Sequence, residues 1–480
     1  MLAILYKWHL RLGVIAGTLM IVWAASGLIH PLLSFTGIKP MAFTPPVEAV
    51  VVEGAKAPSF LPVQNVTAVR VVSVDGKPFY QLTLQNQAER LYYRESTGEL
   101  LPNADVARAE SLARHYSGEK TATVVSTTLQ TAFDKNYPPI NKYLPVWRVA
   151  FDRPDGLSVY VDTGEDKLGS INTPYKQTLL WLFQNIHTLK FLESDAEAMR
   201  LGIITCAMLM ILAMACLGIA LLWTLKRPKM PKGGRGLHRR LAWLVWLPVL
   251  AFSGSGLFHL WVQSTATTRE TVSVQPIDMA AIQSLPQGVS TANDIRLSNT
   301  PKGLLWRVEM ALPSVPNAAP NPHAHHMGNT PKTKTAYFSV HNGEAVPFVD
   351  TDIAQAIAQN TTGTPTLLPM FSPEYGFANK RLPVWRVETP NGLVFVDAKA
   401  GVVAARVSPL DKIELWSFSN LHKGQFLDKL LGVSHTQRDG ILAGVATLII
   451  VMSGVGLWLH QRRRRSLKGT SKNPFIGMSG

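Results

Sequence analysis

The chain contains very few cysteines: only Cys206 and Cys216 occur in 480 residues. Both lie inside one apolar segment, and the polar parts of the chain contain none. A small secreted domain held together by disulfides needs cysteines spread along its polar sequence, so this class is excluded. In a membrane helix a lone cysteine is usually a small packing residue, and we expect no chemistry from either thiol.

Acidic residues are also scarce, at 32 against 47 basic residues, which gives a net charge of +15 and a pI near 9.7. The positive charge concentrates at residues 226–240 and 462–465, beside apolar segments. A nucleic-acid-binding protein would instead carry its basic residues over a folded face. Basic clusters next to apolar spans are typical of the cytoplasmic side of a membrane protein. We therefore expect a membrane protein with no nucleic-acid partner.

Motifs for nucleotides and for zinc proteases are missing. The sequence has no Walker A motif, no G-x-G-x-x-G after a strand and no H-E-x-x-H. The GGRG at 233–236 follows no predicted strand and is interpreted as a flexible basic loop. The chain therefore carries no nucleotide or flavin domain of its own.

Four long apolar segments are present, and each is long enough to span a bilayer. They lie at about 10–34, 200–225, 239–262 and 439–460. The apolar run of the first is too long for a signal peptide, so we interpret it as an uncleaved anchor. The basic loop and the basic tail place both termini in the cytoplasm and the two long connections outside.

The two long connections are predicted to be α+β domains. Residues 62–102 show alternating strands with turn signals at Asp75-Gly76 and Thr97-Gly98. Residues 104–117 have helical spacing after a possible start at Asp105. Segments 336–348 and 352–359 repeat this strand-turn and helix pattern in the second connection.

The whole chain is one unit written twice. Segments Trp8–Pro31 and Leu237–Leu260 both open with histidine near arginine and close with Ser-Gly-Leu-x-His. The pattern L-P-V-W-R-V recurs at 144–149 and 382–387, and W-x-F-x-N-x-H-x-x-x-F-L-acid recurs at 181–193 and 416–428. Such a duplication predicts a pseudo-twofold bundle of four helices. Because both copies enter in the same orientation, the axis should lie along the membrane normal.

Six histidines occupy repeat-equivalent positions, in the pairs His9/His238, His30/His259 and His187/His422. In each opening span the two histidines are 21 residues apart. That interval is about 31 Å of helical rise, close to the thickness of a bilayer, and leaves both rings within roughly 60° of one face. Ionisable residues at membrane depth usually mark a function. The alternative for each is an interfacial histidine with no specific role.

The residues around these histidines favour one chemistry over others. Acidic partners are nearly absent from the spans, which weakens a proton relay. Zinc would need carboxylate or thiolate ligands at close spacing. Facing histidines on different helices suit a bis-histidine haem, and the small Ser-Gly pair would let a porphyrin approach the backbone.

The chain resembles the PepSY-associated transmembrane family, which includes single-subunit ferric-siderophore reductases of bacterial inner membranes. The resemblance rests on W-H-L-R-L-G at 8–13, L-H-R-R-L at 237–241 and the N-x-H segments before the second and fourth spans. The strand-turn pattern ending in S-T-G-E-L-L at 96–101 resembles a PepSY module. The resemblance covers nearly the whole chain. It implies b-type haems between the four helices, and electron transfer from the cytoplasmic to the periplasmic side.

By position, the histidines of that family correspond to His9, His187, His238 and His422, whereas His30 and His259 exceed its pattern. We expect His9 and His238, at the cytoplasmic ends of two spans, to hold one haem across the pseudo-twofold axis. His460 is a spare candidate at that end. The four outer histidines can hold one haem or two, and we expect two haems in the chain as a whole.

A separate signal is H-A-H-H-M-G, in a Pro/Asn/Ala-rich loop at 313–334. His323, His325, His326 and Met327 would suit copper or another soft to borderline metal. The alternative is a disordered soluble loop whose histidines bind nothing specific.

The predicted fold is thus a membrane bundle of four transmembrane helices with an internal pseudo-twofold repeat, plus two periplasmic α+β PepSY-like domains. The helices are expected at 1–36, 196–226, 238–263 and 437–460, the domains at 37–195 and 264–436, and the cytoplasmic loop and tail at 227–237 and 461–480.

The predicted function is a haem b oxidoreductase of the bacterial inner membrane. It would take electrons from a cytoplasmic reductase or from quinol and reduce a ferric siderophore or other Fe(III) chelate in the periplasm. Reduction releases the metal, because Fe(II) binds siderophore oxygens far more weakly. The alternatives are a non-enzymatic PepSY binding or regulatory protein of the membrane, and an accessory protein for copper or iron transport. The small number of spans and the lack of carboxylates within them argue against transport.

Overall fold

The computed structural model describes residues 2–52, 55–193, 195–224, 232–265, 275–311, 333–359, 361–376 and 379–470. The chain divides into two units. The helical unit comprises Met1–Gly37, Tyr175–Thr268 and Leu410–Gly480, and the sheet unit comprises Ile38–Pro174 and Arg269–Pro409.

The described helices are α1 (Leu2–Gly27), α2 (Ile29–Thr36), α3 (Ala104–Ser117), α4 (Pro174–His187), α5 (Glu197–Thr224), α6 (Gly234–Thr265), α7 (Asp350–Ala358), α8 (Pro409–Ser417), α9 (Phe426–Leu431) and α10 (His435–Thr470). Four stretches of them are long and apolar enough to cross a membrane: Leu2–Thr36, Glu197–Thr224, Gly234–Ser264 and His435–Ser466. The prediction of four spanning segments is confirmed. The third begins at Gly234, so residues 234–236, predicted to be a flexible loop, are the first turn of α6.

The first span is divided after Gly27, between α1 and α2. Pro31 has no N–H to donate to the Gly27 carbonyl, so one helical hydrogen bond is missing at this point. The bonds on either side persist, from the Leu28 amide to the Ala24 carbonyl and from the Leu32 amide to the Leu28 carbonyl, both at 3.1 Å. The single helix expected from His9 to His30 is therefore interrupted, whereas α6 is continuous past His259.

The spanning helices form a ring in which α1 packs against α5 and α10, and α6 packs against the same two helices. As a result α1 and α6 face each other across the interior of the bundle. The centre is filled with apolar side chains, including Met20, Val245, Val249, Ile449 and Met452. Residues on the inner faces of α1 and α6 can therefore meet near the middle of the bundle.

The sheet unit contains strands β1 (Val50–Val51), β2 (Val66–Val74), β3 (Lys77–Leu84), β4 (Gln87–Arg94), β5 (Val124–Gln130), β6 (Val146–Phe151), β7 (Ser158–Asp162), β8 (Lys167–Asn172), β9 (Thr291–Ala292), β10 (Asp294–Thr300), β11 (Gly303–Ala311), β12 (Thr333–Ser339), β13 (Ala345–Val346), β14 (Thr366–Leu368), β15 (Val384–Thr389), β16 (Gly392–Asp397) and β17 (Val402–Val407). The sheet orders are β13-β12-β11-β10-β2-β3-β4, β5-β6-β7-β8, β14-β15-β16-β17 and β1-β9. The α+β prediction for the two connections is confirmed.

The two connections share one sheet, which the sequence analysis did not anticipate. Strands β2 and β10 pair in antiparallel fashion, with Arg70 opposite Arg296. The Asp294 carboxylate accepts hydrogen bonds from both guanidinium groups, at 2.9 Å from Arg70 Nε and 2.7 Å from Arg296 Nε. Tyr80 and Trp306 are fully buried in the core beside this join. Each of β2 and β10 would otherwise be an edge strand with unpaired backbone groups, so their pairing closes both edges.

Local predictions in the sheet unit hold with one correction. Asp75 and Gly76 have φ of 50° and 74°, as required for a tight hairpin turn between β2 and β3. The predicted helix at 104–117 is α3. Asp105, expected to start that helix, is instead 1% exposed and accepts hydrogen bonds from Trp147 Nε1 at 2.7 Å and from the Arg90 amide at 3.1 Å. This carboxylate ties the helix to the strands rather than capping it.

Candidate histidine sites in the membrane bundle

The inner pair consists of His9 on α1 and His238 on α6. Their ring centroids are 6.3 Å apart, and the ring planes are inclined by 64°. The two rings meet because α1 and α6 face each other across the bundle. Both side chains are half-buried.

The His238 ring is held by α10. Its Nδ1 lies 3.0 Å from the carbonyl oxygen of Met452. An Nδ1–H that donates to this carbonyl leaves Nε2 as the lone-pair nitrogen, which is the form that binds metals. Gly456 makes room for the ring, since a Cβ atom at this position would lie 3.1 Å from His238 Cε1. His9 Nδ1 is buried and has no hydrogen-bond partner among the described residues.

The outer pair consists of His187 and His422, which precede the second and fourth spans. His187 Nδ1 lies 3.0 Å from Ser26 Oγ, and the His187 ring stacks on Phe183 at 4.7 Å. The indole N–H of Trp23 donates to the His187 carbonyl at 3.1 Å. The serine of the Ser-Gly-Leu-x-His motif on α1 therefore orients a histidine at the end of α4.

The second copy has the same arrangement. His422 ends a π-helical turn, Phe418–His422, and its Nδ1 lies 3.4 Å from Ser255 Oγ and 3.2 Å from the Phe252 carbonyl. Its ring stacks on Phe418 at 4.7 Å. Single π-helical turns are frequent at functional sites. In both copies Nδ1 is occupied, and Nε2 is left to bind a ligand.

The glycine of each Ser-Gly-Leu-x-His motif lies against a histidine ring. A Cβ atom on Gly27 would be 3.9 Å from His187 Cε1, and one on Gly256 would be 3.4 Å from His422 Cε1. The small Ser-Gly pair is predicted to let a porphyrin approach the backbone, and the structure adds this direct contact with the histidines. Burial lowers the pKa of both His187 and His422 to about 4, and the charge of His187 lowers that of His422 further. Both rings are therefore neutral at pH 7, as metal ligation requires.

The pattern of paired histidines and four spans has a counterpart among known families. A family model described as the PepSY-associated TM region matches residues 6–460. The chain belongs to the PepSY-associated transmembrane family. No curated protein matches the chain. The resemblance found in the sequence is thereby confirmed at the level of the family.

Two further histidines of this PepSY-associated protein have surroundings that differ from each other. His30, on α2, is exposed. His259, on α6, contacts the carboxylate of Glu414 through Nδ1, and its ring stacks on Phe418 at 4.0 Å. Glu414 could not be found from the repeat, since it has no repeat mate. Helix α8 contains two acids, Asp411 and Glu414, and Glu414 is the buried one.

The inner pair is compatible with the haem that the family resemblance implies. Imidazole nitrogens bind metal ions directly, at about 2.0 Å, so two histidines that would hold one metal must have their rings close together. The observed 6.3 Å between His9 and His238 fits that requirement. The partnerless Nδ1 of His9 and the space left by Gly456 are also compatible with a bound group.

The remaining candidates are His460, the histidine-rich loop and the two cysteines. His460 Nε2 is buried without a partner in the part of the chain that the structure describes. Among the described residues, no group of three or more His, Cys, Asp or Glu side chains is arranged to hold a metal ion. The predicted metal loop with His323, His325, His326 and Met327 lies outside the described residues. Cys206 and Cys216 are free and exposed.

Proposed function

We propose that this PepSY-associated protein is a haem b oxidoreductase of the bacterial inner membrane. It passes electrons from the cytoplasmic side to a ferric chelate, such as a ferric siderophore, on the periplasmic side and releases Fe(II). The observation that carries the proposal is the His9–His238 pair, whose rings lie 6.3 Å apart on facing helices. Membership in the PepSY-associated family supports the same conclusion.

In this proposal His9 and His238 hold one haem, and His187 and His422 hold the other. A bis-histidine haem supplies one-electron transfer through the Fe(III)/Fe(II) couple. The protein's part is to orient the rings. The Met452 carbonyl fixes the Nδ1 of His238, and Ser26 and Ser255 do the same for the outer rings. The apolar helices around the pairs exclude water.

The proposal includes a pseudo-twofold relation between the two copies. In the sheet unit, Arg70 and Arg296 occupy the same place in their hairpins and stand opposite each other in one antiparallel ladder. A twofold axis between two copies of a strand produces this register. In the helical unit, α1 and α6 carry the matching motifs and share the neighbours α5 and α10. Pairs of equivalent histidines then follow from the symmetry.

Orientation in the membrane follows from charge. Arg462–Arg465 are exposed in the last part of α10, and the sequence at 226–240, which includes the start of α6, is basic. Both are expected in the cytoplasm by the positive-inside rule. The His9–His238 pair then lies at the cytoplasmic end of the bundle, the His187–His422 pair at the periplasmic end, and the sheet unit in the periplasm.

The visible spectrum of the purified protein tests the proposal. We expect b-type bands in the dithionite-reduced minus oxidised spectrum, and a pyridine haemochrome assay should give two haems per chain. His9→Ala with His238→Ala should remove one haem, and His187→Ala with His422→Ala should remove the other. His341→Ala, which changes an exposed residue of the sheet unit, is the control. Haem-free protein that also fails to take up added haem would refute the proposal and favour a binding or regulatory role.

A further inference from the structure

The periplasmic end of the helical unit carries ionisable side chains that only the second copy possesses. Aligning Trp181 with Trp416 places Glu414 opposite Leu179 and Lys423 opposite Thr188. The histidine pairs and their serines are present in both copies. These extra residues are therefore not required to build the paired sites, and another role must account for them.

Glu414 is buried, whereas the histidine that it contacts is partly exposed. The Glu414 side chain is 1% exposed and the His259 side chain is 35% exposed. The Glu414 carboxylate contacts His259 Nδ1, and one face of the imidazole is covered by Phe418. A buried carboxylate bonded to Nδ1–H orients an imidazole and fixes which nitrogen faces a partner. Nε2 is then the nitrogen through which His259 can exchange a proton with a partner.

Two exposed tryptophans mark the level of this pair in the membrane. Trp261, two residues after His259, is 54% exposed, and Trp416, two residues after Glu414, is 59% exposed. Exposed tryptophans are enriched at the boundary between lipid and water. The exposed edge of His259 therefore lies where a water-soluble molecule can reach it from the periplasm.

The nearby charged groups come from three places: the end of the π-helical turn, α9 and α10. Lys423 follows the π-helical turn, with its ammonium group 5.0 Å from the centre of the Phe418 ring. Burial lowers the pKa of Lys423, and the charge of Glu414 opposes that effect. On α10, Arg438 pairs with Asp428 at 2.7 Å and with Asp439 at 3.3 Å. These carboxylates are engaged by Arg438, which leaves Glu414 as the carboxylate in contact with His259.

We propose that His259, held by Glu414, is a proton donor for the reduction of the ferric chelate at the periplasmic end of the bundle. The inference rests on the proposed function, because it concerns the same substrate. One electron from the cytoplasmic reductant converts Fe(III) to Fe(II). A bond between iron and a hydroxamate or catecholate oxygen then breaks, and that oxygen takes the proton from His259 Nε2. The imidazole takes a replacement proton from a buffer acid or hydronium of the periplasmic solvent, which leaves the conjugate base in solution, while Glu414 keeps Nδ1–H in place.

A comparison of two oxidants tests the proposal on the full-length protein. The haems are reduced anaerobically and mixed with a ferric trihydroxamate or with ferricyanide, while haem oxidation and Fe(II) release to a ferrous trap are followed. Ferricyanide accepts an electron without losing a ligand, so it needs no proton donor. We expect His259→Asn and Glu414→Gln to slow the reaction with the trihydroxamate by about 100-fold, the usual scale of general acid catalysis, and to leave the ferricyanide reaction unchanged.

Controls separate this role from a structural one. Glu414→Asp retains a carboxylate and should recover most of the rate, whereas Glu193→Gln, an exposed acid of the first copy, should have no effect. Wild-type protein should show a solvent deuterium isotope effect that Glu414→Gln loses. Equal trihydroxamate rates in wild type and both variants would overturn the proton donor alone. A wild-type protein that reduces ferricyanide but no ferric chelate would overturn the proposed function and this inference with it.

Discussion

Ser26 Oγ lies 3.0 Å from His187 Nδ1. A serine of the first span is therefore the direct partner of the histidine that precedes the second span. Groups that bind the far nitrogen of a ligating histidine tune metal affinity by about 10- to 100-fold. We therefore expect Ser26→Ala, and Ser255→Ala in the second copy, to weaken retention of one haem by that factor without changing the fold. Haem transfer to an excess of apomyoglobin measures the loss. Ser264→Ala, an exposed serine of α6, is the control, and equal transfer rates in all three variants would contradict the assignment.

Gly456 should be essential for the inner site only. A side chain at this position would press on the His238 ring, since even a Cβ atom would lie 3.1 Å from Cε1. We expect Gly456→Val to halve the haem content and to spare the outer haem. Gly454→Val is a matched control two residues away, where a Cβ atom would have no neighbour within 4 Å. Loss of both haems in Gly456→Val, or equal loss in the control, would show that the effect is not local to His238.

Asp294 should be a major contributor to the stability of the sheet unit. Its carboxylate is 2% exposed and forms ion pairs with Arg70, Arg296 and Lys399, the last at 3.4 Å. Removing one partner of a buried ion pair leaves uncompensated charge and costs about 3–5 kcal/mol. Asp294→Ala should therefore lower the thermal midpoint clearly, as followed by circular dichroism of β structure. Glu344→Ala, at an exposed turn, should leave that midpoint in place.

The sheet unit should become less stable in acid because the Asp166 carboxylate becomes protonated. Burial alone would raise the pKa of its carboxyl, but the guanidinium groups of Arg70 and Arg108 lower it from 3.8 to about 2. A carboxyl with a folded pKa below its unfolded value stabilises the fold above the unfolded pKa. That contribution is complete above about pH 4 and is lost as the pH falls toward 2. Acid unfolding of Asp166→Asn should show a weaker pH dependence over this window, and an unchanged slope would count against the ion pairs.

Orientation can be checked with reporters fused to the C-terminus of the full chain. The arginines at 462–465 predict a cytoplasmic end. A green fluorescent protein fused there should fluoresce, and alkaline phosphatase fused there should be inactive. The same reporters inserted in the exposed turn at Asn342 should give the opposite result. Phosphatase activity at the C-terminus would reverse the assigned orientation.

The sequence predicted those features that depend on local pattern or on the repeat. Apolar length revealed the four spans, and helical spacing revealed α3. The repeat singled out His9 and His238, which the structure brings to 6.3 Å from each other. Equivalent positions in the two sequence copies were a useful guide here, because both histidines lie on helices that face each other in the bundle.

Other features could not be predicted from the sequence because they depend on contacts between distant segments. The pairing of β2 with β10 joins Arg70 to Arg296 through edge strands whose sequences give no sign of their partner. Asp105 was predicted to start a helix from its place in the local sequence. Its actual role depends on Trp147, which lies on β6 and is distant in sequence. Glu414 has no mate in the first copy, so a search for repeated residues passed over it. Whether the six histidines bind haem stays a prediction.

The join between β2 and β10 also suggests how the chain arose. Because Arg70 faces its own equivalent, Arg296, the contact is isologous, the kind that two identical subunits make across a twofold axis. A protein with a single copy would have carried the same strand at an open edge and would have dimerised through it. Under the proposed duplication, joining two such subunits in one chain turns an interface that depends on protein concentration into a permanent intramolecular one. The two halves can then differ in sequence, as they do where Glu414 stands opposite Leu179.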